Sequence, residues 1–139
     1  PEAFGVTYSE AVFYDSAYWT KFIQSFTPPS KQRMLLACDG DVCSGSVFAM
    51  LDGERKDAGR VGDMWVDSKH RRQGFGQALL DAVFGWAKEN TFGELWLWCE
   101  DGDNAAHRLY QKAGFVYSDN RDTTREKIDK DLIEMVWTA

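Results

Sequence analysis

Residues 64–80 read MWVDSKHRRQGFGQALL, and this stretch decides the fold. Its first three residues end an apolar strand, a short basic turn follows, and two glycines open a helix. From Phe75 onward, apolar residues recur at the i, i+3, i+4, i+7 spacing, which is typical of a helix with one buried face. The positions of this stripe are Phe75, Ala78, Leu79, Ala82, Val83, Trp86 and Ala87.

The start of this helix has the features of a phosphate site. The N–H groups of a first helical turn have no internal partner, and the helix dipole adds partial positive charge there. Gly74 and Gly76 let an anion approach the main chain, and Arg71 and Arg72 add formal charge. Walker and dinucleotide-binding loops fit less well, because neither a Lys-Ser/Thr pair nor a third glycine follows. A basic turn that merely precedes a helix is the alternative.

Composition indicates one globular domain, residues 1–139, with a hydrophobic fraction of 44%. The net charge of −6 argues against nucleic acid as the default partner and is compatible with a cationic one. No apolar run approaches the length of a membrane span, so no membrane partner is expected. Cys38, Cys43 and Cys99 are odd in number and have no metal-ligand spacing, so we predict reduced thiols in a cytoplasmic protein and no metal site.

The remaining pattern predicts a sheet with few helices. A short helical segment is predicted at 9–14. A second helix begins at Asp15 or Ser16, carries one apolar stripe and ends at the prolines 28–29. Strands are predicted at 33–38, 42–50, 60–66, 95–99 (buried on both faces), 115–117 and 132–138, with loops at 51–58 and 119–130. A strand–helix–strand order predicts parallel pairing of the third and fourth strands. The first stripe consists of Trp19, Phe22, Ile23 and Phe26, and that of the helix after Asn104 of Ala106, Leu109, Tyr110 and Ala113.

Asp63 is a carboxylate inside the strand that leads to the basic turn. Simple alternation places it on the same face as Val61 and Trp65, and places Gly62, Met64 and Val66 on the other. A paired or edge-facing Asp is one interpretation, and a base or an amine-binding group is the other.

Two motifs together resemble the GCN5-related N-acetyltransferase (GNAT) family, in its small single-domain bacterial form. Met64-x-Val66 leads into Arg71-Arg72-Gln73-Gly74-Phe75-Gly76, which is similar to the family's Gln/Arg-x-x-Gly-x-Gly/Ala signature. About 30 residues further on, 104–115 (NAAHRLYQKAGF) is similar to the family's second cofactor motif. The family's usual first strand and helix are missing upstream, so we expect either a shortened chain or a strand supplied by a neighbouring chain.

The resemblance implies an α/β (α+β) fold: a mixed, mostly antiparallel sheet with a splayed central pair of parallel strands and flanking helices. It also implies that acetyl-CoA is the cosubstrate. The residues expected to bind it are Met64, Trp65, Val66, Arg71, Arg72, Gln73, Gly74, Phe75, Gly76, Gln77 and Asn104. Tyr110 is expected to lie near the sulfur and to protonate the departing thiolate, with a packed aromatic as its alternative.

The general base is open among Asp63, Glu100 and water. Cys99 is interpreted as a small buried residue, because neither histidine is placed to activate it: His70 lies in the basic turn, and His107 is predicted on a polar helix face. The predicted function is acetyl transfer from acetyl-CoA to a primary amine of a small molecule or peptide, by direct attack in a ternary complex. A non-catalytic acyl-CoA-binding sensor of the same fold is the alternative, and a homodimer is possible in either case.

Overall fold

A computed structural model describes residues 16–123 and 131–139. Three α-helices, six strands and one 3₁₀ helix (Ser68–His70) are found in these two ranges. The helices are α1 (Ser16–Gln24), α2 (Phe75–Glu89) and α3 (Ala105–Lys112); the strands are β1 (Arg33–Asp39), β2 (Val42–Leu51), β3 (Ala58–Val66), β4 (Glu94–Glu100), β5 (Val116–Asp122) and β6 (Leu132–Thr138). None of these helices has the length and apolar character needed to span a bilayer.

The strands form one sheet in the order β1-β2-β3-β4-β6-β5. β3 and β4 are parallel, and the other neighbouring pairs are antiparallel. α2 connects the two parallel strands, as the strand–helix–strand pattern predicted. The predicted fold class is therefore confirmed, whereas the single-domain organisation stays a prediction.

The central parallel pair separates soon after it forms. Its ladder consists of Ala58 with Glu94, Gly59 with Leu95, and Arg60 with Trp96, and it stops there. Residues 61–66 of β3 and 97–100 of β4 then continue without pairing to each other. We call the gap between these two segments the fork.

A β-bulge in β3 lies just beyond the last pair. Phe48 of β2 is opposite Gly62, and Ser46 is opposite Trp65, so two residues of β3 face the single Val47. One of the two is Asp63, whose φ of 46° lies in the left-handed region. An extra residue bends a strand and increases its twist, which accounts for the divergence of β3 from β4.

The bulge corrects the predicted alternation in β3. Met64 and Val66 pack against the same core cluster as Val61, whereas Trp65 lies on the other face of the sheet, 36% exposed. The prediction that Trp65 shares the face of Val61 is wrong, because one inserted residue moves every later side chain to the opposite face.

The core lies between α2 and one face of the sheet. Leu79, Leu80, Val83, Trp86 and Ala87 of α2 are buried there. The predicted stripe is wrong at Ala78 and Ala82, which are exposed, and it missed Leu80. β4 is buried on one face only: its core side carries Leu95, Leu97 and Cys99, while Trp96 and Trp98 are half-buried on the other side.

Two further boundaries differ from the predictions, and the first is the end of α1, which lies at Gln24 rather than at 28–29. β5 extends to Asp122, into the predicted loop, because Arg121 and Asp122 pair with β6. Phe22 and Phe26 pack on Phe48, with ring centroids 5.5 and 4.8 Å away, as expected for an inward-facing stripe. The segments 1–15 and 124–130 and the side chains of Trp19 and Ile23 lie outside the described part of the chain.

The prediction of three reduced thiols is wrong for two of them. Cys38 and Cys43 form a disulfide bond, with their Cα atoms 3.9 Å apart. They are opposite each other in the antiparallel register of β1 and β2, which an odd cysteine count could not indicate. Cys99 is free and buried. The predicted cytoplasmic location therefore loses the support of reduced cysteines, because disulfides are rare in the cytosol.

Gly59, in the paired part of β3, provides a test of this packing. A Cβ there would lie 2.6 Å from Trp86 Cζ3 and 2.9 Å from Leu95 Cδ2. We expect Gly59→Ala to lower the free energy of unfolding by about 1–3 kcal/mol in urea denaturation, since the core must shift to accept the methyl group. Gly85→Ala, in α2 with nothing within 4 Å of the added Cβ, is the control and is expected to stabilise by up to about 1 kcal/mol. Equal effects of the two substitutions would contradict this view of the core.

Candidate functional site

The basic turn between β3 and α2 is held by Asp67. Its carboxylate accepts a hydrogen bond from the Lys69 N–H at 3.3 Å and contacts His70 Nδ1 at 3.1 Å. The Lys69 N–H and His70 lower the pKa of Asp67. Because the Asp67 N–H also donates to the Ser44 carbonyl at 2.8 Å, the turn is tied to the neighbouring strand.

The turn then enters α2 through two residues with left-handed backbone. Arg72 has φ of 60° and Gly74 has φ of 87°. Gly74 is the N-cap residue of α2, and no side chain caps this end within the described residues. The N–H groups of the first turn, at Phe75, Gly76 and Gln77, are therefore left for another acceptor. Such a helix end, preceded by turned backbone, binds anions readily.

Gly76 brings the two sequence motifs together. A Cβ at this position would lie 2.9 Å from Leu109 Cδ2 of α3. The two glycines of the first motif thus have different roles: Gly74 is needed for its φ, and Gly76 for the close approach of α3. The expectation that both serve an anion is therefore incomplete.

The free edge of β3 lies beside this turn. Met64, Trp65 and Val66 follow the bulge, on the side of the fork that has no ladder to β4. Arg71 closes the turn by donating from Nε to the Val66 carbonyl at 3.2 Å. Two other side chains of the turn are committed locally, because Gln73 donates to the Lys69 carbonyl and Gln77 to Asp81. An extended ligand can add to this edge as an extra strand.

Asn104 is the N-cap of α3. Its Oδ1 accepts from the His107 N–H at 3.0 Å, and its Nδ2 lies 3.3 Å from the carbonyl oxygens of Glu100 and Gly102. This side chain therefore fixes the start of α3 against the end of β4. Its predicted contact with the cosubstrate stays a prediction, and it would have to be made by a group that already has local partners.

Tyr110 of α3 lies at the fork. Its side chain is buried, and its ring packs edge-on against Phe115, with centroids 5.9 Å apart. Burial raises the pKa of Tyr110, and the nearby Cys99 thiol and Asp63 carboxylate raise it further. The charges that act on Tyr110 of α3 thus include groups from β4 and β3, the two strands of the fork.

The two carboxylate candidates occupy opposite arms of the fork. Asp63 is exposed on the bulge of β3, and Glu100 is half-buried at the end of β4. Burial raises the pKa of Cys99 to about 12, with further contributions from Glu100 and Asp101. Cys99 is thus a neutral buried thiol, as the sequence indicated. No group of three or more metal-ligating side chains occurs in 16–123 and 131–139.

Comparison with known proteins agrees with this geometry. Residues 2–115 match the profile of the Acetyltransferase (GNAT) family. The chain belongs to this family.

The individual relatives are distant from this chain in sequence. N-alpha-acetyltransferase 30 of Xenopus laevis is 33% identical over 87 residues, which is 61% of this chain and 32% of that protein. The chain thus spans about a third of the length of this relative. A GNAT-family acetyltransferase from Streptococcus pneumoniae superimposes with a TM-score of 0.74 at 23% identity, covering 91% of this chain and 78% of that one. A Bacillus anthracis structure in complex with acetyl coenzyme A has a TM-score of 0.72 at 21% identity, covering 84% and 67%.

His107 is the residue of this GNAT chain that the sequence misplaced. It was predicted on a polar helix face, but it is 1% exposed, and its Nδ1 lies 2.8 Å from the Tyr117 hydroxyl of β5. Its Nε2 is buried without a hydrogen-bond partner among the described residues. Because His107 is one turn before Tyr110, this bond fixes the helix that carries Tyr110. The only sequence signal is its i, i+3 spacing to Tyr110.

Removing the Tyr117 hydroxyl tests this anchor. Tyr117→Phe leaves His107 Nδ1 buried without its partner, so we expect the free energy of unfolding to fall by about 1–2 kcal/mol in urea denaturation. The neighbouring Val116 is 65% exposed, and Val116→Ala is expected to change it by no more than about 0.5 kcal/mol. A Tyr117→Phe effect as small as that of the control would contradict an anchoring role.

Proposed function

We propose that this chain transfers an acetyl group from acetyl-CoA to a primary amine of a small molecule or peptide, by direct attack in a ternary complex. One observation carries the proposal: the fork opens directly beside an uncapped helix start. The fork offers strand edges that have no ladder to each other to an extended ligand, and the helix start offers N–H groups to an anion. Acetyl-CoA has both parts, a pantetheine arm and a pyrophosphate.

In this proposal the basic turn holds the pyrophosphate of the cosubstrate. The main-chain N–H groups from Arg72 to Gln77 donate to it, and Arg71 keeps the turn closed. The pantetheine arm pairs with the edge of β3 at Met64, Trp65 and Val66, and Asn104 contacts it from the start of α3. The Val66 region then polarises the thioester carbonyl through a backbone N–H.

The acceptor amine must lose its proton before it attacks. An alkyl amine with a pKa of about 10.4 costs roughly 4–5 kcal/mol to deprotonate at pH 7. Asp63 on the bulge and Glu100 at the end of β4 are the candidates for this role, with a water chain as the third. Asp63 contributes to the raised pKa of Tyr110, and the choice among the three candidates stays open.

Tyr110 is proposed as the general acid. A tyrosine hydroxyl is protonated at neutral pH even at its ordinary pKa of about 10, so it can donate a hydrogen bond to the thiolate as the carbon–sulfur bond breaks. The burial of its ring against Phe115 equally suits a packed aromatic in a non-catalytic acyl-CoA-binding module of this fold. Turnover therefore separates the two functions, since both bind acetyl-CoA.

Tyr110→Phe tests the acid assignment. We expect kcat to fall about 100-fold, within the range of general acid catalysis, while the Kd for acetyl-CoA and the unfolding midpoint stay near their wild-type values. The measurement is CoA release over a panel of amines, with acetyl-CoA binding followed by calorimetry. Unchanged turnover would remove Tyr110 from the mechanism, and binding without turnover in the wild type would favour the sensor.

Gly74→Ala tests the phosphate turn. Alanine at a φ of 87° is strained and turns the first N–H groups of α2 away from the ligand, so we expect the Kd for acetyl-CoA to rise about tenfold. Gly40→Ala is the matched control, since it has a φ of 58° and equally open surroundings in the β1–β2 turn. Both variants should lose similar stability, and only Gly74→Ala should bind acetyl-CoA more weakly. Equal affinities would argue against a pyrophosphate at this turn.

A further inference from the structure

Arg60 lies where the fork begins, on the face of the sheet opposite α2. It is the last residue of β3 that pairs with β4, and its partner is Trp96. Its guanidinium carbon lies 5.2 Å from the centroid of the Trp96 ring. This face also carries Trp98 of β4, whereas Leu95, Leu97 and Cys99 point into the core.

A second arginine, Arg55, lies over the same Trp96 ring and has the carboxylate partners that the Arg60 side chain lacks. Arg55 lies 4.5 Å from the same ring and donates to Glu94 at 3.1 Å and to Glu134 at 2.8 Å. The Arg60 side chain has no hydrogen bond or ion pair within 16–123 and 131–139, although its Nε is shielded from solvent. A buried donor without a partner costs about 1–3 kcal/mol, which is why such groups are rare in proteins.

The nearby carboxylates are already engaged. Glu134 also accepts from Asn120 at 2.9 Å, and Asp52 accepts from the N–H groups of Glu54 and Arg55 and from the Trp96 indole. These bonds overcome the effect of burial and lower the pKa of both carboxyls. Arg60 is therefore a charged, planar donor, oriented by an aromatic ring, whose side chain has no hydrogen-bond partner among the described residues.

The face of the sheet on which Arg60 lies indicates which kind of group it binds. The uncapped start of α2 and Tyr110 lie on the core face, so a cosubstrate bound there leaves the opposite face for the acceptor. A guanidinium stacked on an aromatic ring binds carboxylates through two parallel hydrogen bonds, which a lysine cannot form. We propose, on the basis of the function above, that Arg60 binds a carboxylate of the acceptor and so selects peptides with an acidic group near the amine.

The spacing along β3 sets where the acidic group belongs. Asp63, one of the candidate bases, is three residues beyond Arg60, or roughly 10 Å in an extended strand. An extended peptide rises about 3.3–3.6 Å per residue. A peptide with its amino group at the fork thus brings its third residue, or the C-terminal carboxylate of a tripeptide, to Arg60. Both sources provide the same carboxylate.

The experiment compares carboxylates with amides on otherwise identical acceptors. One pair is an amidated pentapeptide with Glu or Gln at its third position, and the other is tri-alanine as the free acid or the amide. We expect the wild type to show at least a tenfold higher kcat/KM for the carboxylate in one of the two pairs, which also identifies the source. Arg60→Gln should abolish this preference, keep its activity on the amide within about twofold, and leave the Kd for acetyl-CoA unchanged.

Lys56→Gln is the matched control, because it removes the same charge from an exposed residue of the preceding loop and should keep the preference. Equal wild-type rates on acid and amide would overturn the inference and leave the proposed function intact. A loss in Arg60→Gln that is equal for acid and amide would show a structural role instead. Acetyl-CoA binding without transfer to any of these peptides overturns the peptide specificity alone, whereas absence of acetyl-CoA binding rejects the proposed function itself.

Discussion

The early end of the β3–β4 ladder is the constraint on which the site depends. Parallel pairing stops at Arg60 and Trp96, so the main-chain groups of the next six residues of β3 lose the partner that a continuous sheet would provide. Backbone donors and acceptors removed from water need partners. The bulge at Asp63 sets this opening, since the inserted residue bends β3 away while its other edge stays paired to β2.

The helices around the fork are fixed by contacts that need small or polar residues at single positions. Gly76 allows Leu109 to approach the start of α2, and Asn104 and His107 attach α3 to β4 and β5. α3 has only eight residues, which is too short to be stable alone, so these contacts determine its position. The basic turn and Tyr110 are held at a constant separation as a result.

The parts that the sequence predicted well are those with a strong local signal. The presence of α2 with most of its buried positions, the strand–helix–strand order and the two glycine-containing motifs are each encoded within a few neighbouring residues. Asp63 shows the limit of such signals, because a bulge leaves the alternation before it unchanged and reverses it afterwards. The predictions for His107 and for Cys38 and Cys43 were wrong for another reason. The partner of each residue lies on another element, so only the register of the sheet brings the partners together.

The electrostatics of Cys99 argue against it as a nucleophile. Cys99 is the sole free thiol in the described part of the chain, and its burial raises the pKa to about 12, which disfavours the thiolate at neutral pH. Nδ1 of each described histidine has another partner, since His70 contacts Asp67 in the basic turn and His107 contacts Tyr117, and neither histidine hydrogen-bonds Cys99 in 16–123 and 131–139. A thioester is already activated toward amines, so orientation at the fork can replace a nucleophile. In the proposed function, specificity then depends on what holds the acceptor, which is the role proposed for Arg60 toward an acceptor carboxylate.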